Sequence, residues 1–146
     1  MFKKFALLIL LGLSFAFSSL SASAFTYDAT TKSARMQVVA DRIDLGSGPG
    51  TLEICTSGYG AVLATITLND PSGTVSTGVL TLSGFPKNAT ATGTGTAAAA
   101  RIKASDGTVI VNNLTVGTSG SDINLNSTSI AIGQTVTISS ATFTHS

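Results

Sequence analysis

The chain has 146 residues, of which 10 % are charged and 43 % hydrophobic, with 22 Thr, 15 Gly and no Trp. This excludes a disordered chain, which needs high charge and few apolar residues, and argues against a helical one, because Thr, Val, Ile and Gly favour sheets and turns. One His and one Cys leave little from which to build a metal or redox centre, and the length suits one domain.

Residues 1–24 carry Lys3 and Lys4, an apolar run from Phe5 to Phe17, and then Ala22-Ser23-Ala24, which is the order of a secretory signal with cleavage before Phe25. The competing reading is a buried or membrane-anchoring helix. Against it, the run of 13 residues falls short of the ~20 a spanning helix needs. No Cys follows the cleavage site, so a lipid anchor is excluded. Cleavage would leave 122 of the 146 residues, with six basic against seven acidic groups and a charge near −1. Such a product has no stable membrane anchor and no basic patch for nucleic acid. Its expected destination is the periplasm, cell surface or medium.

Residues 25–31 read as an N-terminal extension and 32–146 as a single domain. Within it, 32–45 is the helix candidate: Met36, Val39, Ala40 and Ile43 recur at three- and four-residue spacing, and Gly46 is placed to stop it. A strand is the alternative, since Met36, Val38 and Ala40 also alternate. Gly46-Ser47-Gly48-Pro49-Gly50 reads as a turn, not a phosphate loop, because no strand precedes it and no Lys closes it. Asp41 and Asp44, three apart, would project from one side of the helix; a carboxylate pair that binds a cation or acts as acid and base is one reading, but Arg35 and Arg42 lie on the same short element and are the expected partners at the surface.

From Thr51 the period changes to two. Leu52 and Ile54 alternate with Glu53 and Cys55; Val62, Ala64, Ile66 and Leu68 alternate with Leu63, Thr65 and Thr67; Leu80 and Leu82 alternate with Val79 and Thr81. Turn residues separate these runs at 57–60, 69–73 and 84–88. Thr94, Thr96, Ala98, Ala100 and Ile102 are expected on one face of a long strand. Asp106-Gly107 then turns into Val109–Val111, with Leu114 and Val116 continuing. Ile123 with Leu125, Ile130 with Ile132, and Val136 with Ile138 give three more short runs. Phe143 has the wrong parity for the face of Val136 and Ile138. A bulge at Ser139-Ser140 restores it to that face; without one, Phe143 is exposed to a partner. The expected fold is all-β, an antiparallel β-sandwich of immunoglobulin-like or jelly-roll-like type, preceded by one short N-terminal helix.

Chemistry is sparse. His145 is the only imidazole and lies beside the end of the chain, a poor place for a base, and no Gly-x-Ser-x-Gly elbow is present. Cys55 reads as a small buried hydrophobe, with pairing to another copy as the sharper alternative. Asp106 and Asp122 stand in turns; a calcium site is the competing reading, but its usual oxygen cluster is missing. Asn88, Asn113 and Asn126 each begin a glycosylation pattern, which matters only in a eukaryote. Tyr59, Phe85 and Phe143 are the candidate contact residues. No catalytic, cofactor-binding or metal-binding residue is assigned.

The order of segments also carries a likeness. Ser33-Ala34-Arg35-Met36-Gln37 through Ala40-Asp41-Arg42-Ile43-Asp44, then Gly48-Pro49-Gly50-Thr51-Leu52-Glu53-Ile54, Leu63-Ala64-Thr65-Ile66-Thr67-Leu68 before Asp70-Pro71, and Gly78-Val79-Leu80-Thr81 follow in turn. Ala91 to Ala97, Ala100-Arg101-Ile102, Val116 to Asn126 and Ile132-Gly133-Gln134-Thr135-Val136 complete it. Over residues 30 to 144 the chain resembles a family of small β-rich proteins encoded among tailed-phage and prophage structural genes, here with an added secretion signal. The resemblance implies a virion or virion-associated structural protein without established catalytic residues, whose partners are its own copies or other structural proteins. If the signal-like segment is not processed, it implies a place in the virion. An exported adhesin or ligand-binding module is the alternative.

Overall fold

The computed structural model describes residues 26–144. Residues 1–25, on which the expected secretory signal and cleavage before Phe25 fall, and His145 lie outside the described residues. A helix, α1 (Ala29–Ile43), comes first. It is followed by β1 (Thr51–Cys55), β2 (Val62–Thr67), β3 (Gly73–Ser76), β4 (Val79–Leu82) and β5 (Lys87–Thr90). Then come β6 (Gly95–Thr96), β7 (Ala99–Lys103), β8 (Val109–Gly117), β9 (Ile123–Leu125), β10 (Ser129–Ile130) and β11 (Thr135–Thr144).

α1 starts where Asp28 caps it. The Asp28 carboxylate accepts from the backbone N–H of Thr31 at 2.8 Å and from its hydroxyl at 3.0 Å, satisfying donors the first turn leaves free. The same bonds hold this carboxyl below its ordinary range. Met36, Ala40 and Ile43 are buried while Val38 is 61 % exposed. A strand would have put Met36, Val38 and Ala40 on one face, so the helical period wins. The helix runs 29–43, inside the chain and shifted from the expected 32–45, because Asp28 supplies an earlier cap and Asp44 ends it. The Asp44 carboxylate leaves the helix and takes the backbone N–H of Ser72 at 2.9 and 3.1 Å, tying the helix end to the β2–β3 connection. Gly50 follows in a gap that admits no side chain: a Cβ there would stand 2.6 Å from the Lys103 carbonyl oxygen.

Nine strands form one sheet, ordered β2-β1-β7-β8-β9-β11-β4-β3, with β5 also pairing β11; β6 and β10 form a separate small ladder. The all-β class stands apart from the helix, but the expected antiparallel sheet is corrected to a mixed one. β8 and β9 run parallel, Val116 beside Ile123 and Gly117 beside Asn124. The chain folds back along β8 through Thr118–Asp122, and the Asp122 carboxylate accepts from the N–H and hydroxyl of Thr115 at 2.8 and 2.7 Å. A short connection suffices because only two residue pairs form.

The sheet curls on itself. Beyond β5 the N–H groups of Thr92 and Gly93 donate to the Leu63 carbonyl of β2 at 2.8 and 3.2 Å, and the Lys87 ammonium donates to the Thr67 carbonyl at 2.9 Å. β2, one end of the strand path, is thereby brought against β5, the strand that branches from β11. The concave side holds the core: Leu52, Ile54, Ile66, Leu80, Ile102, Ile123 and Ile138 are buried there. Each such side chain contributes about 1.5–3 kcal/mol of transfer free energy. α1 lies against β3, β4 and β8 and adds its apolar stripe to the same core.

One stretch departs from strict alternation as expected and two do not follow expectation. β11 pairs Ile138 with Leu125 but Ser140 with Asn124, so one extra residue sits at Ser139. This is the bulge the parity of Phe143 required, and Phe143 is 7 % exposed. In contrast, Thr94, Thr96 and Ala98 do not share the inner face with Ala100 and Ile102. The chain breaks between β6 and β7, and Ala97 is buried while Thr96 and Ala98 are exposed. Ile130 and Ile132 also separate: Ile130 is buried in β10 and Ile132 lies in the following turn, 69 % exposed.

The Ser72 hydroxyl is the one fully buried side-chain polar atom without a hydrogen-bond partner among the described residues. Removing an unsatisfied donor relieves a desolvation cost. Ser72→Ala is expected to leave stability unchanged or raise it by about 1 kcal/mol, measured by the midpoint of urea unfolding. A loss of stability would show that this hydroxyl is satisfied in solution.

Candidate functional site

Three surfaces combine polar chemistry with ordered geometry. The first lies on the convex face of β1, β7 and β8. Glu53 on β1 stands opposite Arg101 on β7. Its carboxylate accepts from Arg101 Nε at 2.6 Å and from Lys103 Nζ at 2.7 Å. Burial alone would raise the Glu53 carboxyl, but the bonds from Lys103 and Arg101 and their charges outweigh it and hold it below its ordinary value. The Arg101 guanidinium lies 5.4 Å from the centre of the Tyr59 ring. Tyr59 is in a 3-10 turn, Ser57–Tyr59, and its hydroxyl donates to Asn113 Oδ1 at 3.2 Å and accepts from the Asn113 backbone N–H. Asn113 has φ +56° at a register break of β8. Bulge, Tyr59 and ion triad form one braced unit in which each cation already has its anion.

The second surface is the convex face of β3, β4 and β11. Thr74, Thr81 and Thr142 align across the three strands, and Ser76, Val79 and Thr144 form the next rank. Their neighbours Leu80, Leu82 and Phe143 point inward. Beyond β11, Asn124 on β9 donates to the Ser140 hydroxyl at 3.0 Å. Neither rank contains a charged residue.

The third surface is a groove of about 360 Å³ lined by Met36 and Val39 of α1, Ile110 to Asn112 and Leu114 of β8, Asp122, Phe143 and Thr144. Asp122 is its only ionisable lining residue. It closes one end of the groove, because its backbone carbonyl accepts from Thr142 N–H at 2.9 Å while its carboxylate holds Thr115.

The residues singled out in the sequence are not brought together. Tyr59 is partly buried on the first surface; Phe85 sits between β4 and β5, packed against the core; Phe143 faces inward and reaches solvent only at the groove. The expectation of Phe143 on an outer contact face is therefore corrected, the bulge being the cause. Cys55 is fully buried, and burial pushes its thiol up. Its thiol is free and lies inside the domain, away from the surface that pairing with another copy would use. Cys55 is expected to resist a thiol reagent at neutral pH and to react once per chain on unfolding, which a colorimetric thiol assay reads.

Asp41 accepts from Gln37 at 2.8 Å and Asp44 holds Ser72, so neither forms the expected pair with Arg35 or Arg42. Arg35 instead lies 4.5 Å from the centre of the Tyr27 ring. Asp106 turns back to accept Thr108 N–H at 2.8 Å, a local turn bond that lowers its carboxyl. One oxygen of Asp106 thus accepts from Thr108 and one of Asp122 from Thr115, and no group of three His, Cys, Asp or Glu assembles among the described residues. Asn88, Asn113 and Asn126 are exposed. Sequence reasoning missed the groove and the two ranks. The alternation of Thr81 and Thr142 was visible, but their alignment depends on pairing between distant strands. In comparison with known proteins, no family model, no curated protein and no solved structure matches this chain.

Proposed function

We propose that this chain is a non-enzymatic structural or interaction protein, exported and assembling through its surface, in the manner of a phage- or prophage-encoded virion component or a surface-fibre subunit. We read the curled sheet as a two-layer β-sandwich, with the β1–β2–β7 side facing the β4–β5–β11 side across the core. The observation that carries the functional reading is the pair of uncharged ranks, Thr74–Thr81–Thr142 and Ser76–Val79–Thr144. A hydroxyl is both donor and acceptor and can find a partner on an opposing copy. A short Thr or Ser side chain also loses less rotamer entropy on burial than Lys or Glu, for which about 1.5–2 kcal/mol is lost. Such a face associates at low cost.

The test is the state of the processed chain. A mature product beginning at Phe25, found as a stoichiometric component of purified particles or fibres, supports the reading; free monomer at all concentrations counts against it. Thr81→Lys, placed in the middle of the ranks, is expected to reduce assembly at least tenfold by sedimentation while the unfolding midpoint stays within about 0.5 kcal/mol of the parent. A second reading, a ligand-binding module, is favoured by the groove beside α1.

A further inference from the structure

β3 ends the strand path, and its outer edge is open. At the other end of the path the Leu63 carbonyl of β2 is taken by Thr92 and Gly93. β3 and β4 join through Thr77-Gly78, whose φ values are +48° and +80°, a two-residue hairpin turn that bonds Ser76 and Val79 to each other. Six residues away, Ser83 N–H donates to the Ser72 carbonyl at 2.8 Å. The bonded pairs of this ladder are therefore 72/83, 74/81 and 76/79, and the alternation of an antiparallel pair turns the backbone groups of Gly73 and Val75 away from β4. No described group bonds them there. α1 is fastened at both ends of β3, where the Ser33 hydroxyl accepts from Gly78 N–H at 3.0 Å and the Asp44 carboxylate accepts from Ser72 N–H. It too leaves Gly73 and Val75 unbonded.

Open strand edges are ordinarily guarded by a charge, a proline or a bulge. Gly73-Thr74-Val75-Ser76 has none of these, and its register with β4 is unbroken. The charges lie beyond its two ends and differ in sign. Asp70 is exposed ahead of β3. Lys32 lies beside the hairpin tip, where a Cβ on Gly78 would stand 2.8 Å from the Lys32 Cβ. Neither Asp70 nor Lys32 belongs to an ion pair among the described residues. An uncharged edge with opposite charges at its ends complements an antiparallel copy of itself.

We propose that β3 pairs with β3 of a second copy, antiparallel about a two-fold axis at Thr74, so that a dimer is the unit of assembly. The register follows from which groups face outward. With Thr74 opposite its own copy, Gly73 meets Val75 on both sides of the axis, and each such pair exchanges two main-chain bonds, four in all. Centring the axis on Gly73 or on Val75 leaves a single such pair within the strand. The Thr74 register also sets Asp70 of each copy level with Gly78 of the other, and so with its Lys32. It joins the ranks as well: Thr142, Thr81 and Thr74 of one copy continue into Thr74, Thr81 and Thr142 of the next, with the central threonines close enough to share a hydroxyl bond. Such an interface is isologous and closes at two copies. Larger assemblies then use the ranked face. The inference rests on reading the chain as a self-assembling protein.

The folded protein is followed by sedimentation and by amide hydrogen exchange over a dilution series. A dimer is expected at high concentration, with the Gly73 and Val75 N–H groups protected only there. Those of Thr74 and Ser76, already bonded to β4, should stay protected at every dilution. Val75→Pro, which removes an outward N–H that the fold does not use, should weaken the dimer at least tenfold. Lys32→Glu should weaken it about tenfold through two symmetric contacts, and adding Asp70→Lys should restore it; this charge swap carries the test should Val75→Pro fail to fold. Thr81→Lys should keep the dimer and lose only the larger species, because the two added ammonium groups stem from positions three interstrand spacings apart, ~14 Å, beyond a Debye length of about 8 Å. A dimer indifferent to Val75→Pro, or no rescue by the swap, would overturn the proposal. So would protection of Gly73 and Val75 in a monomer, since a segment of the same chain would then cover the edge. Those outcomes leave the assembly reading standing, whereas monomer at every concentration sinks both.

Discussion

Phe143→Ala is expected to lower the unfolding free energy by about 3 kcal/mol, the low end of the range for truncating a buried aromatic ring. The ring is 7 % exposed and closes the core where β4, β11 and α1 converge, but one edge lines the groove, so part of the cavity left behind can hydrate. Chemical denaturation with fitted midpoints reads this directly. Deleting Ser139 is the informative companion. Because Ser139 is the extra residue of the bulge, its removal leaves Val136, Ile138, Ala141 and Phe143 on one face of a regular strand. Its cost should be less than half that of Phe143→Ala. If the deletion proves the more damaging of the two, the bend made by the bulge matters more than the side chain it redirects.

The second large effect is expected at Glu53. Glu53→Ala would leave Arg101 and Lys103, both partly buried, without their anion, and a loss of about 2 kcal/mol is expected at pH 7. The pH dependence has a definite sign. The Glu53 carboxyl is held below its ordinary value in the folded state, so the unfolded chain binds its proton at higher pH than the folded one does. The stabilisation is therefore complete above the ordinary glutamate value and is lost as pH falls through the lowered one. Parent and Glu53→Ala should differ most at pH 7 and converge toward pH 3. A gap that stays constant across that range would mean that the carboxylate acts by packing and not by charge. Glu53→Gln, which keeps the shape, separates the two further.

Much of the architecture was legible because it is written in local periodicity. Met36, Val39, Ala40 and Ile43 announce a helix, and Leu52, Ile54, Leu80 and Leu82 announce half-buried strands. The parity of Phe143 even located a bulge. What stayed hidden depends on pairing between segments far apart in sequence. Nothing near Ile123 reveals that it lies parallel to Val116, and Thr81 carries no mark of its neighbours Thr74 and Thr142. Asp44 and Asp122 looked like members of a charge pair or a cation site; their partners are backbone N–H groups, which a sequence does not display. The Ala97-Ala98 break was concealed for another reason. Four alanines in a row have no polarity contrast from which a face can be read.

β11 is paired along one edge with β9 and along the other with β5 and then β4. Three separate parts of the chain thus depend on Thr135–Thr144, the last strand of the described residues. Until those ten residues are available, β4, β5 and β9 lack their common neighbour and the core stays open. Domains dominated by such long-range pairings fold in milliseconds to seconds, not microseconds. If the chain is exported, as proposed, slow closure has a use. It keeps the polypeptide unfolded, and therefore threadable, for the interval in which it would have to cross a membrane, and defers the β-sheet to the far side.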